Sequence, residues 1–182
     1  MENEHKDWCG DYLQGEIDCG NARLRDLCPE DAPALLAIHE SLKDYEEITQ
    51  EAFPEADVKS LLEKTDLPPG GSPENFRAKM ILTPSGPPTG YLATYSGYPE
   101  PDTLWVGSLF LHRDYHRTGI GRAVIRAVEQ KAARCGFQKV GLGVYAMNTQ
   151  GLLFWVGRGY DRIEKVRVND HGRAILRLVK AL

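Results

Sequence analysis

The chain has 182 residues, 42% of them hydrophobic and 26% charged, with a formal net charge of -4. That is enough for one well-packed α/β domain and short for two. The acidic balance argues against a nucleic-acid binder, which carries a basic surplus to neutralise phosphates, and no apolar run approaches the length needed to cross a bilayer.

The opening "MENEHKDWCG" does not read as a signal peptide. Cys9, Cys19, Cys28 and Cys135 lie much further apart than the cysteine pairs of zinc sites. Together these features predict a cytoplasmic protein with free thiols, no metal and no membrane contact. Residues 1–20 are polar and punctuated by glycine, and are expected to form an N-terminal extension with at most one short edge strand. Residues 21–182 are expected to form a single domain.

"ARLRDLC" alternates as a half-buried strand does. "PEDAPALLAIHESLKDY" follows as a helix, with Glu30 and Asp31 at its positive end and Pro33 in its first turn. "EADVKSLLEKT" predicts a second helix, and "DLPPGGSPEN" is a loop. Next come "FRAKMILT", "YLATYSGY" and "TLWVGSLFLH", joined by Pro/Gly turns into an antiparallel meander.

The period then changes. Ile120, Ala123, Val124, Ala127, Val128 and Cys135 mark one face of a longer helix that Gly136 ends. "KVGLGVYA" is a strand and "TQGLLFWVGR" a short helix. "YDRIEKVRV" and "RAILRLVKA" form a terminal hairpin turning at "NDHG". The order β-α-α-β-β-β-α-β-α-β-β describes one mixed α/β domain.

Chemistry concentrates in "HRDYHRTGIGRAVIRAV", where arginines bracket a Gly-Ile-Gly turn between a strand and a helix. Glycines there uncover backbone N–H groups and arginines add positive charge, a pattern suited to an anion at a helix start. A P-loop is excluded, because no Gly-Lys-Ser/Thr follows. A dinucleotide fingerprint is excluded as well, because the turn lies eight residues beyond the strand and Val124 stands where a small residue is needed.

His116-Arg117-Thr118-Gly119-Ile120-Gly121 resembles the Gln/Arg-x-x-Gly-x-Gly/Ala loop of the GNAT N-acetyltransferase superfamily. "NTQGLLFWVGRGY" is similar to that family's second landmark, Asn-x-x-Ala followed by Tyr-x-x-x-Gly-Phe. The resemblance runs from about residue 21 to residue 180. It implies a mixed, mostly antiparallel sheet splayed between the family's fourth and fifth strands, flanked by about four helices. It also implies acetyl-CoA as co-substrate, with the pyrophosphate on the backbone of Arg117, Thr118, Gly119, Ile120, Gly121 and Arg122. The pantetheine arm would lie along Leu109, Phe110 and Leu111, with Asn148 reaching the arm or the pyrophosphate. Trp155 joins this cofactor set, at the position of the family's tyrosine.

The implied activity is acetyl transfer to a primary amine, on a small cationic molecule or a peptide, through a tetrahedral intermediate. The alternative is a non-catalytic acyl-CoA-binding module. No catalytic residue is assigned, because Trp105 and Gly143 occupy the family's two base positions and Trp155 cannot act as its acid. Glu100 and Asp102, through water, and Tyr145 are the candidate substitutes. Glu40, Asp44, Glu46, Glu47, Glu51, Glu55 and Asp57 would form an acidic wall that attracts a cationic amine. The resemblance also admits a homodimer through the terminal strands.

Overall fold

A computed structural model describes residues 12–50, 53, 55–84 and 86–182. Eight strands form one sheet: β1 (Ile17–Asp18), β2 (Arg23–Asp26), β3 (Phe76–Leu82), β4 (Pro88–Ser96), β5 (Thr103–Leu111), β6 (Lys139–Tyr145), β7 (Arg162–Val168) and β8 (Ala174–Ala181). Their spatial order is β1-β2-β3-β4-β5-β6-β8-β7. Every neighbouring pair is antiparallel except β5 and β6.

Among the described residues five α-helices cover the two faces: α1 (Ala32–Glu40), α2 (Lys43–Thr49), α3 (Glu55–Glu63), α4 (Ile120–Arg134) and α5 (Thr149–Val156). Val124, Ile125 and Val128 of α4 pack with Leu104, Val106, Val140 and Leu142 on one face. Leu35, Ile38, Val58 and Leu61 of α1 and α3 pack with Met80, Tyr91 and Ala93 on the other. Each such aliphatic side chain contributes about 1.5–3 kcal/mol by burial. Tyr12, Leu13 and Ile17 belong to the α4 cluster, and the Tyr12 hydroxyl lies 2.6 Å from the Thr94 hydroxyl.

The predicted first helix is broken in two. The Tyr45 N–H bonds the Leu42 carbonyl at 2.8 Å, which frees the Ser41 carbonyl to accept from Arg113 Nε at 2.8 Å. Ser41 Oγ also accepts from the Arg113 N–H, and Arg113 pairs with Asp44. A three-residue 3-10 turn after β5 therefore holds the break and sets α2 against the end of that strand.

Two irregularities decide what faces the helices. β5 carries a bulge, since Ala93 opposes Ser108 while Thr94 opposes Val106. The extra residue, Gly107, shifts the two-residue alternation. Leu109 and Leu111 therefore join Leu104 and Val106 on the α4 face, while Trp105 and Phe110 turn to the other. The second irregularity is the pairing of β5 with β6, which covers only Thr103–Val106 against Lys139–Leu142. Beyond Val106 the two strands part.

His39 of α1, only 8% exposed, is buried against β4 and β5. Its Nε2 lies 2.8 Å from the Tyr91 hydroxyl, and its ring stacks on Phe53. Burial pushes its pKa down to about 4. The folded protein thus refuses a proton that the unfolded chain accepts near pH 6.5, so stability is whole above that pH and is lost as pH falls toward 4. The loss reaches about 3 kcal/mol for this group. Urea denaturation at pH 7 and pH 4.5 checks it: His39→Gln is expected to show a flatter pH dependence than the native chain over that interval.

Candidate active site

Where β5 and β6 part, a cavity of about 470 Å³ opens between α2, the end of β5, the start of α4 and α5. The backbone supplies its floor. His112 donates its N–H to Thr89 across the β4–β5 ladder at 2.8 Å, and bonding alternates along an antiparallel pair. The same alternation turns the N–H and carbonyl groups of Leu109 and Leu111 toward the gap. His116 Nε2 donates to the Leu111 carbonyl at 2.9 Å, and because the pairing with β6 ends at Val106, Leu109 has no strand partner on that side among the described residues. His116, the residue that departs from the family pattern, thus braces the loop against β5.

The Gly-Ile-Gly turn is built by two different requirements. Gly119 caps α4 with φ +86, a left-handed conformation that a side chain disfavours. Gly121 packs closely: a Cβ there would lie 3.2 Å from the Phe154 ring, which would have to shift to admit it. Gly121 also borders the cavity. Its Cα faces α5, and it permits α4 and α5 to touch.

Positive charge gathers at this turn. Arg117 and Arg122 line the cavity, and so does Arg158 at the C-terminal end of α5. None of the three has an ion-pair partner among the described residues. Burial, and then the charge of Arg122, hold the Arg158 guanidinium below its usual pKa, and it stacks 3.9 Å from the Phe154 ring centre. Sequence reading missed Arg158, because it lies 36 positions beyond Arg122 and only the packing of α5 on α4 brings them together. Three unpaired cations beside the N-terminus of a 15-residue helix form a site for a multiply charged anion.

Of the residues named from the sequence, Leu109, Phe110, Leu111, Arg117, Gly119, Gly121, Arg122, Asn148 and Trp155 all border this one cavity. Thr118 and Ile120 do not. The Thr118 hydroxyl donates to the Tyr115 carbonyl, and Ile120 is core. Asn148 caps α5, accepting the Gly151 N–H at 2.9 Å. Trp155 packs edge-on against Phe154 and Tyr160, with one edge on the cavity.

A second cavity of about 380 Å³ lies on the opposite side of the gap. Tyr95, Tyr98 and Trp105 wall it, and Gly107, Ser108 and Gly143 place it at the point where the strands part. Its one carboxylate among the described residues is Asp66. Among the described residues, the carboxylates expected to form an acidic wall over residues 40–57 do not border this cavity. Glu40 pairs with Lys43, Asp44 is tied to Arg113 on the first cavity, and Glu46 accepts the Phe53 N–H. Glu47, Glu55 and Asp57 border neither cavity, and Glu51 lies outside the described residues.

The candidate bases Glu100 and Asp102 and the candidate acid Tyr145 have other contacts. Burial raises the Glu100 pKa, but hydrogen bonds from Arg177 and Lys139 outweigh it and leave the carboxyl below its ordinary value. Asp102 bonds Thr103. Tyr145 lies edge-on to Tyr45, their ring centres 6.4 Å apart, and borders neither cavity.

The model of the acetyltransferase (GNAT) family matches residues 37–160. The fold is similar to that of an acetyltransferase from Thermus thermophilus, at 24% identity and TM-score 0.67, over 91% of this chain and 100% of that one. A GCN5-related N-acetyltransferase from Kribbella flavida aligns at 21% identity and TM-score 0.63, over 89% and 98%. Ard1 from Thermoplasma volcanium aligns at 15% identity and TM-score 0.67, over the same shares. No curated protein matches the sequence.

Proposed function

Because the chain belongs to the GNAT acetyltransferase family, we propose that it moves acetyl from acetyl-CoA to a primary amine by direct attack of the amine on the thioester. The observation that carries this reading is the meeting of Arg117, Arg122 and Arg158, unpaired, with the start of α4 on a cavity that runs to the free edge of β5. The residues fit the coenzyme. The three guanidiniums and the turn's N–H groups suit its diphosphate, and the unpaired edge of Leu109 and Leu111 suits an amide-bearing arm added like a strand.

Acetyl-CoA, when bound, supplies an activated acyl group. The chain's own part is to hold that group and answer its charge. The Leu109 N–H, turned into the gap without a strand partner, is the oxyanion donor in this reading, and such donors are usually a large catalytic contribution. The amine enters from the second cavity, on the other side of the gap. No unpaired carboxylate except Asp66 borders either cavity among the described residues. The amine therefore loses its proton mainly to solvent, and kcat/KM rises with pH toward the pKa of the amine.

Thiol release from acetyl-CoA with a panel of primary amines tests the reading. Turnover that needs both acetyl-CoA and amine supports it. A second reading, a module that binds acyl-CoA without transfer, draws on Trp105. A Cβ at Gly141 would lie 3.2 Å from the indole, which fills the place of a base over β6. Coenzyme binding with no turnover on any amine would favour that module.

A further inference from the structure

The electrostatics of the second cavity point to a class of acceptor. Lys165 and Arg167 of β7, and Arg177 of β8, border it against Asp66, its one carboxylate among the described residues. Their placement comes from a bulge in β7. Ile163 opposes Leu178, whereas Lys165 opposes Arg177 and Arg167 opposes Ile175. The extra residue, Glu164, flips the alternation, so Lys165 and Arg167 share the cavity face with Ile175 and Arg177. In unbulged register Glu164 and Val166 would stand opposite Arg177 and Ile175, and Lys165 and Arg167 would take the other face.

The charges are not equivalent. Arg177 is compensated by Glu100 at 2.9 Å and Glu164 at 3.0 Å, although its buried Nε has no hydrogen-bond partner among the described residues. Lys165 and Arg167 form no ion pair among the described residues. The opposite wall is apolar and aromatic, formed by Tyr95, Tyr98, Trp105 and Leu67. At about 380 Å³ the space sits at the lower end of small-molecule sites. Two uncompensated cations facing aromatic rings select a small molecule with one anionic end and one apolar body.

We propose that the acceptor is an amino carboxylate with an apolar side chain, its carboxylate held by Lys165 and Arg167 and its body against Tyr98 and Trp105. This rests on the transfer reading for the role of the amine, but the binding it asserts can be measured without turnover. It replaces the cationic acceptor expected from the acidic stretch at residues 40–57.

Leucine, phenylalanine and tryptophan, each compared with its carboxamide, are the probes. Calorimetry on the full chain saturated with CoA is expected to show the free acid of at least one pair binding about tenfold or more tighter than the amide. K165Q/R167Q is expected to abolish that difference, and added salt to weaken the acid more than the amide. Equal binding of acid and amide by the native protein, a preference that survives K165Q/R167Q, or no binding of any free acid would each overturn the proposal.

Thiol release separates the two ideas. Free acids that bind but are never acetylated keep this site and defeat the transfer reading. Efficient acetylation of the amides with refusal of the free acids keeps transfer and defeats this site.

Discussion

Reversing two charges at the start of α4, as R117E/R122E, will lower the affinity for acetyl-CoA by about three orders of magnitude. Each arginine stands to lose a charge-assisted hydrogen bond to phosphate, and each glutamate adds repulsion where the helix N-terminus had favoured an anion. The fold should not suffer. Both side chains are exposed and neither has an ion-pair partner among the described residues. Arg117 already holds φ 61, so a glutamate there meets no strain that the arginine did not. Calorimetric titration gives the affinity, and thermal unfolding checks the fold. A drop below about tenfold, with the melting midpoint unchanged, would remove the diphosphate from this turn.

Gly90→Ala is the second large effect, and it acts through the backbone. Gly90 stands opposite Leu111 in the β4–β5 ladder. A methyl group there would fall on the Phe110 carbonyl oxygen and come within 2.6 Å of Leu111 Cδ2 and 3.0 Å of Leu111 Cα. A side-chain tip can swing away, but a carbonyl held in the β4–β5 ladder cannot. Relief therefore requires prying β4 from β5 at the segment that borders the first cavity. The expected cost is about 3 kcal/mol or more, which lowers the melting midpoint of a chain this size by about 6–12 °C. Thiol release should fall as well, because Phe110 and Leu111 move with the strand. A variant that melts within about 2 °C of the native protein would show that the ladder yields there at little cost.

The anion turn was legible because its signals are local. Gly119 at a positive φ, the start of an amphipathic helix and the flanking arginines all fall within one stretch of sequence. Its companion Arg158 was not legible, because nothing in "WVGRGY" says that the end of α5 returns beside Arg122. The packing of Gly121 was not legible either. Its neighbour across space, Phe154, belongs to a helix more than 25 residues later.

The acceptor side shows the same division more sharply. Residues 40–57 read as an acidic wall because charge along a sequence is visible while its partners are not. Lys43, Arg113 and the Phe53 N–H absorb three of those carboxylates. The cations that border the second cavity sit in "RIEKVRV", an ordinary alternating strand on paper.

Composition, the two hydrophobic periods and one glycine-arginine turn determined the class of fold and most of the order of its elements, and marked the turn that borders the first cavity. Each depends only on residues within a turn or a strand of one another. The tertiary structure alone decided which side chains face the gap. On a strand, the face a residue takes depends on every residue inserted before it, and the bulges at Gly107 and Glu164 appear only when a partner strand is in place to be out of step with.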